Sequence, residues 1–377
     1  MCTESAETDG YKMAQNYIDK MNSELGKFLF NLFKACLFKP KTASFIIKTL
    51  LKQKKSGKIR AQWEKQGIHV PPYLIASLTQ TCNLRCKGCY SHAKRINNGN
   101  EMTESQWKQL FYEARELGIF VIMLAGGEPL MRKEILSLCG QLPEIIFPVF
   151  TNGLLLDKNL MNVISKTRNI IPVISIEGLL PETDDRRGKG VYGKIMDVIS
   201  ELDEADVFYG LSITVTSENF DTVTGETFLK TMSQSGCKLF FLVEYVPVQE
   251  GTENLIISDS QKQRLLGMTD ELRRKFKGVF VNFPGDESTF GGCLAAGRGF
   301  IHVSPDGRVE PCPFAPYSDT RLGDITLKEA LKSELLEKIR DNHSNLVESN
   351  GGCALWTNRE WVKSLIPDKA LDENINI

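Results

Sequence analysis

Apolar and polar positions change rhythm three times along this chain. From residue 20 to about residue 60, apolar residues recur at helical spacing. They are Leu25, Phe28, Leu29, Leu32, Phe33, Cys36 and Leu37, and then, past Pro40, Phe45, Ile46, Leu50 and Leu51. That period predicts two amphipathic helices. From Tyr73 onward, strand-like and helix-like segments alternate. Strands are predicted at 72–78, 119–125, 145–151, 170–177, 207–215 and 238–246. Several are continuous apolar runs, such as Ile119 to Ala125, as expected of parallel strands buried on both faces. Thr103 with Gln106, and Ser258 with Gln261, have capping-box spacing and mark helix starts between strands.

Six strand–helix repeats predict an α/β fold, either a parallel barrel or part of one. In such barrels the chemistry gathers at the carboxyl ends of the strands. After Phe283 the rhythm changes again. Phe300 to Val303, Asp306-Gly307 and Arg308 to Glu310 read as a β-hairpin with a tight turn. A helix is predicted from Leu327 to Arg340, with Thr326 and Glu329 as its capping box. The chain thus divides into a basic helical extension (1–70), a barrel (71–283) and a small appended domain (284–377).

Composition narrows the function. At 377 residues, 42% hydrophobic and 25% charged, the chain can bury a substantial core. A net charge of −1 supplies no field to draw nucleic acid, so no such partner is expected. No apolar run reaches the roughly eighteen residues that span a bilayer. Ten cysteines without a secretory signal point to the cytoplasm, where thiols serve metals rather than disulfides. Charge is uneven, however. Lys20 to Arg60 holds eleven Lys or Arg and one acid, Glu24. Two readings fit: peripheral contact of residues 20–60 with an anionic membrane, or helices that pack on the barrel with a solvated basic face.

The densest chemistry lies just past the first predicted strand, where Cys82, Cys86 and Cys89 stand at Cys-x3-Cys-x2-Cys spacing. Three thiolates can hold three irons of a [4Fe–4S] cluster and leave the fourth open to a ligand, whereas a structural cluster uses four. A zinc site is the alternative. It usually shows paired Cys-x2-Cys units or added histidines, and His92 is the only histidine nearby.

Further motifs follow at successive strand ends. Gly126-Gly127-Glu128-Pro129 offers close backbone approach and acceptors for an ammonium, or is a plain tight turn. Thr151-Asn152-Gly153 can bind a ligand or cap a helix. In Ser175-Ile176-Glu177-Gly178, strand alternation puts Ser175 and Glu177 on one face. Arg186 and Arg187 follow, either of which can fork a carboxylate. Glu244-Tyr245-Val246-Pro247 ends the sixth strand.

The cysteine triplet, the GGEP turn and the SIEG segment, in that order, resemble the radical S-adenosylmethionine (radical SAM) enzymes over roughly residues 70–250. The resemblance implies a partial (β/α)6 TIM-like barrel whose open iron chelates the amino and carboxylate groups of S-adenosylmethionine. One electron then cleaves the sulfonium, and the resulting 5′-deoxyadenosyl radical takes hydrogen from a substrate. By the same resemblance, Gly126, Gly127 and Glu128 meet the methionine amino group. Ser175, Glu177 and Arg187 lie near the carboxylate or ribose, and Val246 lies near adenine; Asn152 joins them as a cofactor-site candidate from its place after the third strand. The family usually has a bulky residue just before the third cysteine. Here that residue is Gly88, and Tyr90 is the candidate to cover the adenine.

The last segment carries Cys293, Cys312 and Cys353, the first two bracketing the predicted hairpin as Cys-x13-Gly-x4-Cys. This is similar to the SPASM and twitch domains, which hold auxiliary [4Fe–4S] clusters; the shorter twitch arrangement fits better. The fourth ligand is open: a free iron, Cys237 or Asp286. Three unligated core thiols are the plain alternative. The expected reductant is a flavodoxin or ferredoxin. The substrate classes are a peptide or protein to be matured, a lipid or a small metabolite. The competing class is an iron–sulfur electron carrier or regulator without substrate turnover.

Overall fold

The computed structural model describes residues 2–37, 39–93, 100–284, 290–346 and 353–366. Two long helices open the chain, α1 (Cys2–Ala35) and α2 (Pro40–Glu64). Pro40 suits the first turn of α2, where its missing N–H is not needed. Nine strands then form one sheet: β1 (Tyr73–Ser77), β2 (Val121–Ala125), β3 (Phe147–Thr151), β4 (Ile170–Ser175), β5 (Gly210–Val215), β6 (Leu239–Glu244), β7 (Val279–Phe283), β8 (Phe300–Val303) and β9 (Val309–Glu310). Their order is β7-β6-β5-β4-β3-β2-β1-β8-β9. Every neighbouring pair is parallel except β8–β9. All six predicted strands are present. The architecture is an α/β, partial TIM-like barrel with a helical N-terminal extension.

Three features depart from the expected pattern. A seventh parallel strand, β7, extends the barrel beyond six. The predicted hairpin does not stand apart, because β8 pairs in parallel with β1 and joins the barrel sheet. The helix expected over 327–340 is two helices, Leu327–Ala330 and Glu334–Asp341. Ser333 breaks it by accepting from Leu336 N–H and capping the second piece, a bond that competes with helix continuation. All three capping boxes form as predicted.

The two faces of the sheet differ. Outward side chains such as Leu74, Ile122, Leu124, Leu242 and Phe280 are fully buried beneath the helices in the main core. Inward ones such as Ile75, Met123, Phe150, Val243 and Val281 are only half-buried. They surround a cavity of about 1010 Å³. The buried stripe of α1 (Leu25, Leu29, Leu32) packs across the amino ends of the strands, against Phe120, Ile146, Ile171, Leu239 and Val279. α1 is therefore the floor of the barrel. Of the two readings of the basic extension, packing on the barrel is seen directly.

Candidate active site

The cavity's roof is built from the loops at the carboxyl ends of the strands. The loop after β1 carries Cys82, Cys86 and Cys89, all three partly exposed to the cavity. The glycine pair after β2 holds the stem of this loop. Gly127 N–H donates to Thr79 C=O (2.7 Å) and Glu128 N–H to Thr81 C=O (2.8 Å). A Cβ on Gly126 would lie 2.5 Å from the Thr79 carbonyl oxygen, and one on Gly127 2.3 Å from that of Thr81. The close approach that requires glycine here is to the cysteine loop itself.

Glu128 joins this corner to the next strand end. Its carboxylate accepts from Thr151 Oγ1 (2.6 Å), Asn152 N–H (2.8 Å) and Leu130 N–H (3.0 Å). Burial pushes its carboxyl above the ordinary range, against the pull of those bonds. Asn152 in turn donates to Asn83 Oδ1 (2.7 Å) and sits 4.0 Å from Cys82 Sγ. The motif after β3 thus reaches back to the cysteine loop.

The other side of the loop is held by arginines. Arg186 Nε donates to Lys87 C=O (3.1 Å), and Lys87 N–H donates to Arg186 C=O (3.0 Å). Both guanidiniums bind Glu177: Arg186 Nη1 at 2.9 Å from one oxygen, Arg187 Nε at 3.0 Å from the other. Glu177 is 1% exposed and does not line the cavity, whereas Arg187 does. Its place is behind the wall, where it positions the arginines. The alternation that put it beside Ser175 ends with β4, as Gly178 turns the chain at φ +133°.

Gly88 has φ +63°, and a Cβ there would lie 2.3 Å from the Tyr245 hydroxyl. Tyr245 lines the cavity and donates its own proton to Thr252 Oγ1 (2.8 Å). Tyr90 also lines the cavity, but its ring meets Phe314 edge-on at 5.5 Å and links the two cysteine-bearing segments. Ser175 and Val246 line the cavity. Ser175 faces Ser212 across the β4–β5 ladder.

Cys293, Cys312 and Cys353 are each buried, and all three line the same cavity. Arg298 fixes the first through a bond to Cys293 C=O (2.6 Å). Cys237 is not among them. It lies just before the amino end of β6, away from the roof, and its thiol, pushed up to about 12 by burial, donates to Leu239 C=O. Asp286 lies outside the described residues. Cys139 is a buried core thiol and Cys36 packs in the floor.

The donor set fits an iron–sulfur cluster. Leu84 N–H points at Cys82 Sγ (3.4 Å) and Phe314 N–H at Cys312 Sγ (3.5 Å), the donors a ligating thiolate accepts. Arg187 places positive charge beside Cys86. His92 is spent on Leu84 C=O (2.8 Å). Among the described residues no three His, Cys, Asp or Glu side chains converge on a single-ion site. Thiolates that each take a different corner of a cluster need no such convergence. The sequence offers Arg186 only as one of two arginines that can fork a carboxylate, and it gives Tyr245 no role beyond its place at the end of the sixth strand.

Comparison with known proteins agrees. The radical SAM superfamily matches residues 76–232. The AdoMet-dependent heme synthase of Methanosarcina barkeri is 27% identical over 75% of this chain and 88% of its own length. The PqqA peptide cyclase of Rhizobium meliloti is 24% identical over 78% of each chain. The fold is similar to that of Streptococcus suis SuiB bound to S-adenosylmethionine, with TM-score 0.62 and 16% identity over 88% of this chain and 81% of that one. With its triplet at the mouth of a partial barrel and these matches across that barrel, the chain is similar to the radical SAM enzymes over residues 76–232.

Proposed function

We propose that Cys82, Cys86 and Cys89 hold the cluster that binds S-adenosylmethionine, and that Cys293, Cys312 and Cys353 hold a second, auxiliary [4Fe–4S] cluster. When bound, the first cluster supplies the electron that splits the sulfonium into methionine and a 5′-deoxyadenosyl radical, which takes hydrogen from the substrate. One observation carries this reading: both cysteine trios line one cavity, so a substrate between them meets the radical source on one side and the second trio on the other. The chain's own residues orient the cosubstrate. The backbone carbonyls beside Gly126 and Gly127 face its ammonium, Arg187 its carboxylate and Ser175 its ribose. Glu177 holds Arg187 in place from behind, and Glu128 ties Thr151 and Asn152 to the roof. Residues 71–283 form the radical-generating unit, and 284–377 supply the auxiliary site.

The reductant is a flavodoxin- or ferredoxin-type carrier. A peptide substrate is the second reading. It is favoured by the likeness to the PqqA peptide cyclases and to the sporulation killing factor maturation protein SkfB of Bacillus subtilis. Iron analysis tests the two-cluster reading. About eight irons per reconstituted chain are expected, falling to about four in Cys293→Ala/Cys312→Ala. About four in both proteins removes the second cluster.

A further inference from the structure

We propose that the lower part of the cavity, between the roof and α1, binds the long apolar chain of a lipid drawn from an anionic membrane. The inference deepens the radical reading, which supplies the place where such a chain would react.

Three observations carry it. First, a packed barrel fills its interior with layers of inward side chains. Here Ile75, Met123, Phe150, Val243 and Val281 point inward and remain half-buried around about 1010 Å³ of space. That volume includes the roof, where S-adenosylmethionine and the clusters would sit, so the apolar chain takes only the part below them.

Second, the lining is graded. Arg186, Arg187 and Glu128 stand at the roof, and the hydroxyls of Ser175, Ser212 and Thr214 form one stripe on β4 and β5. Arg273 and Asn282 add polar groups on the β7 side. The β1–β3 wall is apolar, with Ile75, Met123 and Phe150, and the floor sets Leu25, Leu29 and Leu32 beside Glu24, Lys27 and Asn31. A chain with a polar head near the roof and an apolar tail toward α1 matches that gradient, since tail burial is favourable only against apolar walls.

Third, the helices that form and support the floor carry a second apolar face on the outside. Phe30, Leu37, Ile47 and Leu51 are 49%, 53%, 47% and 65% exposed. Lysines interleave with them at Lys27, Lys34, Lys41, Lys48 and Lys55. Large apolar side chains set among lysines suit the interface of an anionic bilayer, by charge as well as by burial. One pair of helices thus faces the apolar cavity on one side and presents a membrane-type surface on the other.

The test uses the reconstituted holoenzyme, with straight-chain fatty alcohols of about 8 to 18 carbons displacing N-phenyl-1-naphthylamine. The expected result is binding about fourfold tighter per added methylene up to a limiting length. Met123→Trp and Val281→Trp each shorten that limit. Ile75→Phe is the milder replacement should the tryptophan variants not fold, and thermal melting checks each protein. Binding without length dependence overturns the proposal, as does an unchanged limit in every folded variant. Tighter displacement by an apolar nonapeptide than by any alcohol assigns the cavity to a peptide and overturns it too. Displacement needs no turnover, so a normal chain-length ladder in a protein that forms no 5′-deoxyadenosine would remove the radical reading and leave the chamber standing.

Discussion

Tyr245 occupies the space that a side chain at Gly88 would need, with its hydroxyl 2.3 Å from where the Cβ would be. The two residues lie far apart in sequence, one before the third cysteine and one after β6. The exchange fixes both. Residue 88 is glycine because its φ is +63° and its side-chain space is taken. Tyr245 can project over the cysteine loop because residue 88 leaves room. Its ring therefore stands as the aromatic surface beside the cysteine loop, with the Arg186 guanidinium 5.7 Å from its centroid.

Gly88→Ala is expected to weaken S-adenosylmethionine binding at least tenfold, roughly 1.4 kcal/mol. Gly88→Ala/Tyr245→Ala removes the clash but keeps the backbone strain of about 1 kcal/mol, so it recovers only part of the loss. Tyr245→Phe costs no more than the Thr252 bond, about 1 kcal/mol. Calorimetric titration of reconstituted protein with S-adenosylmethionine checks all three. Full binding by Gly88→Ala would show that Tyr245 does not define the site.

Glu177 carries two guanidiniums from a position that is 1% exposed. Glu177→Ala leaves both without their shared counter-charge and is expected to destabilise the fold by about 3–5 kcal/mol. Because Arg186 also holds the Lys87 backbone, the same variant should lose iron from the first trio before it unfolds. Thermal melting and iron content together check this. A stable variant with normal iron content would mean that the arginines need no partner.

Asp306 gives an acid-sensitive point in the appended segment. Burial pushes its carboxyl up, but Arg308 and Ser304 outweigh this and hold it below the ordinary range. A depressed carboxyl adds stability above its unfolded value, about 3.9, and loses that contribution as pH falls through the folded value. Asp306→Asn should therefore lower the melting temperature at pH 7 and flatten its fall between about pH 5 and 3. An unchanged acid limb would exclude Asp306 as its cause.

The outer face of α1 and α2 should bind vesicles that contain anionic lipid and ignore neutral ones. Lys27→Glu/Lys34→Glu/Lys48→Glu is expected to weaken that binding by about 1 kcal/mol or more per lysine facing the surface, and added salt should do the same. Co-sedimentation reads it out. Equal binding to neutral vesicles, or none to anionic ones, contradicts the membrane assignment.

Local signals carried much of this fold. Continuous apolar runs placed six strands within a few residues, and capping boxes placed three helix starts, because both are set by neighbours in sequence. β7 was not seen because Val279 to Phe283 is short and interrupted by Asn282, whose side chain bonds Thr269 beneath the sheet. The cysteine trios were legible as spacing. Their opening onto one cavity was not, since it depends on β8 pairing with β1. Strand alternation puts Glu177 on one face with Ser175, but β4 ends at Ser175 and Glu177 bonds the arginines behind the cavity wall. The role of α1 as the floor was invisible, because an amphipathic stripe does not name the surface that it covers.

The central claim is that Cys82, Cys86 and Cys89 make the radical while Cys293, Cys312 and Cys353 face it across one cavity. Formation of 5′-deoxyadenosine by reduced, reconstituted, anaerobic protein tests this most directly. The wild-type protein should form it, Cys86→Ala should not, and Cys293→Ala/Cys312→Ala should continue to form it without substrate turnover. No 5′-deoxyadenosine from wild-type protein with intact clusters would contradict it and favour an electron carrier.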